Sequence, residues 1–231
     1  MKIGIIGSGN IGGTLTRRFR AAGHDVLLTN SRGPASLADL AEETGARAST
    51  LDEVVRGNDL VVVAIPLRQI ENLPARLFAD APANLVVVDA SNYYPQQRDG
   101  RIDEIEAGLT ESAWVERRLG HPVVKAFNTI VAVHLLENAK SAGTRGRVAL
   151  AVAGDDARAK SMVMQLADDI GFDTVDSGAI AESWRQQPGS PGYLKDYNVD
   201  GVRRALGSAQ RERAPQWRAT PNSPGTYAVP A

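Results

Sequence analysis

The first residues whose spacing suits a chemical task are Gly7-Ser8-Gly9-Asn10-Ile11-Gly12. The apolar run Lys2 to Ile6 leads straight into them, and a helical pattern follows at once. In such a loop Gly7 permits a tight turn, and Gly9 lets the backbone approach a pyrophosphate with no Cβ in the way. Gly12 lets the helix pack closely on the strand. The unbonded N–H groups and positive end of that helix then face the phosphates, with Ser8, Asn10 and Ile11 in the cradle. A glycine-rich turn that binds nothing is the alternative. The strand before, the helix after and a second strand on schedule favour a dinucleotide.

Which dinucleotide is decided at the end of the second strand, where an acid about 20 positions past the glycines would accept from a ribose 2′-hydroxyl. The sequence there reads Thr29-Asn30-Ser31-Arg32-Gly33, with no acid. Ser31 offers a hydroxyl and Arg32 a charged fork to a 2′-phosphate, and the carboxylate that would repel it is missing. Asn30, Ser31 and Arg32 thus predict NADP(H) rather than NAD(H). A polar turn capping the next helix over Asn30 to Pro34 accounts for the same residues, and both can hold at once.

Ligands of open parallel sheets sit outside the carboxyl ends of the strands. Those ends read Ala64-Ile65-Pro66-Leu67, Asp89-Ala90-Ser91-Asn92 and Ala126-Phe127-Asn128-Thr129-Ile130. Pro66 removes a donor and ends its strand, so the backbone after Ile65 can lie along the ribose and nicotinamide. Ser91, Asn128 and Thr129 are short polar groups suited to hydrogen bonding there, and Ile130 offers an apolar surface to a nicotinamide face. Each is also an ordinary turn or N-cap residue type.

Other chemistry is thinly represented. The absence of cysteine excludes disulfides, thiolate metal sites and a cysteine nucleophile, so redox chemistry must come from a bound cofactor. His24, His121 and His134 lack metal-ligand spacing, and neither a serine elbow nor a paired-carboxylate signature is present. No residue set qualifies as a catalytic constellation. Trp184, Tyr193 and Tyr197 are candidates to line a planar acceptor's pocket, or to form a small core of their own.

These residues need a parallel sheet to position them, and the chain supplies its pattern. Eight short β-branched runs serve as candidate strands: Ile3 to Ile6, Val26 to Thr29, Ala46 to Ser49, Leu60 to Ile65, Leu85 to Asp89, Val123 to Phe127, Val148 to Ala153 and Phe172 to Val175. Helical periods fall between them at Ile11, Leu15 and Phe19, at Ile70, Leu73 and Leu77, and at Ala159, Val163, Leu166, Ala167 and Ile170. The prediction is an α/β Rossmann domain over residues 1–178, a doubly wound, mostly parallel sheet of about eight strands. Residues 179–231 then form a small C-terminal region at the acceptor cleft, with a short helical stretch around Val199 to Gln210 and a Pro-, Thr- and Ser-rich tail. Lys plus Arg number 26 against 27 for Asp plus Glu, so no basic field draws in nucleic acid or anionic lipid. Apolar runs fall far short of the ~20 residues that span a bilayer. The expected setting is cytoplasmic, the expected partner a small-molecule acceptor, and the expected assembly a homodimer.

KIGIIGSGNIGG, NSRGP, VVVAIP, VVVDASN and VVKAFNTI resemble, in order and approximate spacing, the NADPH-dependent oxidoreductases of the deazaflavin coenzyme F-420 and their bacterial relatives, over roughly Lys2 to Ile180. The resemblance implies a Rossmann domain with extra strands, a small, mostly helical C-terminal part and an acceptor bound between them. It implies that Ser8 to Ile11 cradle the pyrophosphate and that Ser31 with Arg32 hold the 2′-phosphate. Asn128, Thr129, Ile130 and Ala132 would sit beside the nicotinamide. Archaeal members carry histidine, threonine, isoleucine, proline and alanine there, so Asn128 and Val131 depart from the run. WRQQPGSPGY and the tail are similar to bacterial relatives. With coenzyme F-420 or a flavin as acceptor, hydride passes directly between stacked rings, and the protein supplies alignment and water exclusion. Reduction of a small imine or carbonyl instead needs a proton donor, for which Tyr93, Tyr94 and Lys125 are candidates. An NADP-binding sensor without turnover is a third reading.

Overall fold

Each of the eight runs enters one sheet in the computed structural model, which describes residues 1–231. The strands are β1 (Lys2–Ile6), β2 (Asp25–Thr29), β3 (Arg47–Ala48), β4 (Leu60–Val63), β5 (Val86–Asp89), β6 (Val123–Lys125), β7 (Ala149–Ala153) and β8 (Asp173–Gly178). Their order is β3-β2-β1-β4-β5-β6-β7-β8, parallel except where β6 meets β7 at Lys125 and Ala153. The chain winds outward from β1 to β3, then returns to place β4 on the other side of β1. This reversal opens a crevice at the carboxyl ends of β1 and β4.

Continuous valine runs make this sheet possible, because β4 and β5 are buried along their whole length and must be apolar on both faces. One face is covered by α1 (Asn10–Ala21) and α7 (Ala157–Asp169), through Leu15, Phe19, Val163 and Leu166. The other is covered by α3 (Leu51–Arg56) and α5 (Glu111–Leu119), through Val54, Val55, Trp114 and Val115. The Thr50 capping box starts α3, its hydroxyl accepting from Glu53 N while the Glu53 side chain turns back to Thr50 N.

Local chemistry adjusts several predicted boundaries. The helix expected at Ile70, Leu73 and Leu77 is instead a 3-10 turn, Leu67–Asn72. Pro74 excludes helical backbone at Leu73, which is extended at ψ 146°. The strand predicted to Phe127 stops at Lys125, because Phe127 adopts the left-handed region at φ 61°. The edge strand β3 is only two residues long.

Gly178 ends the last strand. Beyond it come a 3-10 turn at Ile180–Gln186, α8 (Val199–Ser208) and a second short turn at Pro215–Trp217. Val202 of α8 packs on Val175 and Ala151 of the sheet. The final arm lies along the loop that follows β5. There Gln96 Nε2 donates to Pro215 O at 3.1 Å and Arg218 O at 2.8 Å, and Ala231 N donates to Gln96 O at 3.3 Å. No helix is long and apolar enough to cross a membrane.

Candidate functional site

Three glycines shape the loop between β1 and α1, each through a different constraint. Gly7 has φ 109°, and a Cβ on it would stand 2.4 Å from Ala64 O and 2.8 Å from the Ile65 side chain. A Cβ on Gly12 would stand 1.9 Å from Gly7 O, so the helix presses directly on the turn. A Cβ on Gly9 would meet nothing within 4 Å. This third position is open, exposed and immediately before α1, whose N-cap has no side-chain hydrogen bond and whose first turn holds no acid. A pyrophosphate fits that arrangement, since the space, the unopposed N–H groups and the dipole coincide.

Asn30 ties this loop to the end of β2. Its Nδ2 donates to Ser8 Oγ at 2.9 Å and Ser36 Oγ at 3.0 Å, and its Oδ1 accepts from Arg32 N at 2.9 Å. The Asn30 amide is therefore spent on holding Ser8 and Arg32 in register. Ser31 and Arg32 are exposed, and the Arg32 guanidinium has no ion-pair or hydrogen-bond partner. Ser8, Gly9, Asn10 and Arg32 share one cleft of about 690 Å³ with Ala132 and Leu136 of α6 (Ala132–Glu137). Ser31 is not on its wall. Asp39 and Glu43 of α2 (Ala38–Thr44) also line it, and Arg17 binds Glu43 in a two-pronged pair at 2.6 Å per contact.

At the ends of β4 to β6 the predicted residues divide between cleft and scaffold. Ile65 and Pro66 are half-buried beside the glycine turn. Ser91 is committed to a sealed network. Its N and Oγ donate to Asp89 Oδ1 at 2.9 and 2.5 Å, and its carbonyl accepts from Lys125 Nζ at 2.5 Å. Lys125 Nζ also lies 3.1 Å from Asp89 Oδ2, which accepts from Ser112 Oγ at 2.7 Å; Asp89 and Lys125 are both 0% exposed. A charge pair so enclosed holds two strand ends together and leaves Lys125 no route to a substrate.

Asn128 is likewise occupied. Its Nδ2 donates to Gln186 O at 2.7 Å and Asn92 Oδ1 at 3.1 Å, and its Oδ1 accepts from Gln186 Nε2 at 3.1 Å. Phe127 beside it is a buried, left-handed, non-glycine residue packed edge-on to Phe19, a strain of about 1–2 kcal/mol that surrounding contacts hold in place. Thr129 O accepts from Leu194 N at 2.9 Å, while Ile130, 3% exposed, turns into the core.

Gln186, Trp217 and Tyr227, which the sequence did not single out, complete this edge together with the predicted tyrosines. Gln186 Nε2 also reaches Ala151 O at 3.1 Å, locking the segment after β8 between β6 and β7. The hydroxyls of Tyr94 and Tyr193 are hydrogen-bonded to each other, and Trp217 and Tyr227 pack around them. Burial pushes both phenols above the ordinary tyrosine range, so both carry their protons. Tyr93, by contrast, is enclosed in the α3/α5 core, its hydroxyl donating to Gly100 O at 2.9 Å. Tyr197 lies apart, packed against Gly201 of α8. These partners are long-range: 99 positions separate Tyr94 from Tyr193. No short-range spacing marks them.

Comparison with known proteins agrees with this geometry. Residues 2–93 match the family model described as NADP oxidoreductase, coenzyme F420-dependent. The chain is 51% identical over 69 residues to the protein YjhV of Escherichia coli (strain K12), 30% of this chain and 50% of that one. It is 30% identical over 183 residues to the metalloreductase STEAP3 of Rattus norvegicus, 79% of this chain and 35% of that one. The chain thus spans half or less of the curated relatives it matches. Among solved structures, the hypothetical protein SMa0349 from Sinorhizobium meliloti superposes with a TM-score of 0.74 at 31% identity, covering 87% of this chain and 96% of that one. A candidate F420-dependent NADP-reductase from Arthrobacter sp. FB24 gives 0.61 at 25% identity, covering 79% and 87%. Over residues 2–93 the chain thus matches the family described as NADP oxidoreductase, coenzyme F420-dependent, and over most of its length it shares the fold of SMa0349.

Proposed function

We propose that this protein is an NADP(H)-dependent oxidoreductase that passes hydride between the nicotinamide and a second small planar acceptor, a deazaflavin such as coenzyme F-420 or a flavin. The observation that carries the reading is Arg32, an exposed and unpaired cation on the wall of the cleft that holds Ser8, Gly9 and Asn10. Glu43 in that cleft is already neutralised by Arg17, so Arg32 is available to a 2′-phosphate. In this reading Gly7 to Ile11 hold the pyrophosphate and Arg32 holds the 2′-phosphate, with Ser31, exposed beside it but off the cleft wall, as its neighbour. Ile65, Pro66, Thr129 and Ala132 border the nicotinamide, while Asn30, Ser91, Asn128 and Ile130 fix the walls. The bound nicotinamide supplies or receives the hydride; the chain's own residues orient the ring and exclude water.

Fluorescence titration tests the first step, with NADPH expected to bind at least about tenfold tighter than NADH. Equal or tighter NADH binding overturns it. NADPH oxidation is then followed with coenzyme F-420, FMN and a panel of imines. Turnover with either planar ring supports the proposal, and binding without any turnover assigns the protein to the sensors. Turnover with imines alone favours a second reading, imine or carbonyl reduction, for which Tyr94 is the remaining proton donor. Its protonated hydroxyl lies at the carboxyl end of β5, whereas Tyr93 and Lys125 are enclosed. The proposed assembly is a homodimer, and sedimentation at several concentrations tests it.

A further inference from the structure

Trp184-Arg185-Gln186-Gln187-Pro188-Gly189-Ser190 contains one glutamine that the fold uses and one that it leaves free. Gln186 is fully hydrogen-bonded between β6 and β7, whereas Gln187, 6% exposed, has an Nε2 with no partner. Gln187 lies on the wall of two adjoining clefts of about 490 and 180 Å³, which share Trp184, Gln187, Arg211, Glu212 and Arg213. Trp184 Nε1, Arg213 Nε and Arg213 Nη1 are also sealed from solvent without partners, as is Ser190 Oγ on the larger cleft.

The character of these atoms points to a ligand. Indole, guanidinium and amide nitrogens are donors only, and the serine hydroxyl can donate as well. Glu111 Oε1, 3.2 Å from Arg213 Nη2, is a carboxylate acceptor beside this group of buried donors, but one oxygen is too few for all of them, and a single water accepts from only two. An oxyanion accepts from several at once. Charge on the walls does not oppose it. Arg211, Arg213 and Arg218 stand against Glu106 and Glu212, and Glu106 is already held by Ala219 N at 2.9 Å and Arg218 Nε at 3.5 Å. The third nitrogen of Arg213, Nη2, lies 3.2 Å from Glu111, which fixes the guanidinium without using its other two nitrogens. The Arg185 guanidinium stacks 4.3 Å from the Trp184 ring and holds the indole.

We propose that this double cleft beneath the C-terminal arm binds a small oxyanion, a carboxylate or a phosphate, through Trp184, Gln187, Ser190 and Arg213. It shares no lining residue with the cleft at Ser8 to Asn10, so it is a separate site, and its test does not depend on NADPH. The full chain is titrated calorimetrically with inorganic phosphate and, separately, with acetate, at constant ionic strength so that screening does not change. Saturable one-to-one binding is expected with at least one of them, and which one saturates identifies the head group. Gln187→Leu and Trp184→Phe should each weaken it about tenfold and leave NADPH affinity unchanged. Ser190→Ala, at a half-buried position, provides a milder variant should either of those fail to fold. Failure of both anions to saturate in the tens of millimolar, or affinity unchanged in the folded variants, overturns the proposal and leaves these donors unpaired.

Discussion

Gly9 and Gly12 stand three positions apart and impose opposite requirements on a side chain. A methyl at Gly9 enters open space, at an ordinary φ of −73°, so Gly9→Ala should leave the melting temperature essentially unchanged. In the proposed binding mode the same methyl takes the place of a phosphate, and NADPH affinity should fall by about tenfold or more in a fluorescence titration. Gly12→Ala instead forces backbone against backbone at 1.9 Å, and its first symptom should be lost stability in thermal unfolding. Arg32 is the third informative residue. Arg32→Ala removes a charged donor that nothing in the fold uses, so stability should hold while NADPH binding weakens about tenfold to a hundredfold and NADH binding does not.

Between elements, buried charge does what hydrophobic packing cannot, because it specifies which strand ends lie side by side. Asp89 at the end of β5 and Lys125 at the end of β6 are enclosed with Ser91 and Ser112. Lys125→Met leaves Asp89 unpaired, and urea unfolding should show a loss of about 3–5 kcal/mol. Glu111 on α5 is a second case. Burial raises its carboxyl above the ordinary range and Arg213, arriving from the C-terminal region, opposes the rise. A carboxyl raised in the fold contributes stability at low pH and loses it as pH rises through its folded value. Arg213→Met should therefore be most destabilised at neutral and higher pH, and its deficit should shrink as pH falls towards the unfolded carboxyl value near about 4. Urea unfolding across a pH series checks this, and Glu111→Gln in the same background should flatten the dependence.

Over the whole molecule, the segment after β8 is what closes the carboxyl edge. Trp217 lies on Gly189, against Tyr94 and Tyr193, so the arm is packed on one candidate acceptor-pocket residue, Tyr193, and on the candidate proton donor Tyr94. Trp217→Ala should shift the KM for a planar acceptor several-fold while the Kd for NADPH stays constant, a split that steady-state kinetics and titration separate. A shift in both would place the arm's influence on the nucleotide cleft as well.

The sequence by itself determined the glycine turn before α1, the absence of an acid after β2 and the alternation of strand and helix. These follow from local rules: a Cβ that does not fit, a side-chain charge, and a periodicity that continuous valine runs impose. The glycine turn at Gly7 to Gly12 was legible because its strand–turn–helix context is local, although the atoms that forbid a Cβ on Gly7 come from Ala64 and Ile65. The antiparallel turn at β7 and the duties of Ser91, Asn128 and Ile130 were decided only by tertiary structure. Nothing in a short polar residue tells whether its hydrogen bonds will face a ligand or a wall. That depends on Asp89, Gln186 and Leu194, which arrive from distant segments. The unpartnered donors of Trp184, Gln187 and Arg213 belong to the same class, since only the packed chain shows which bonds a side chain has left to make.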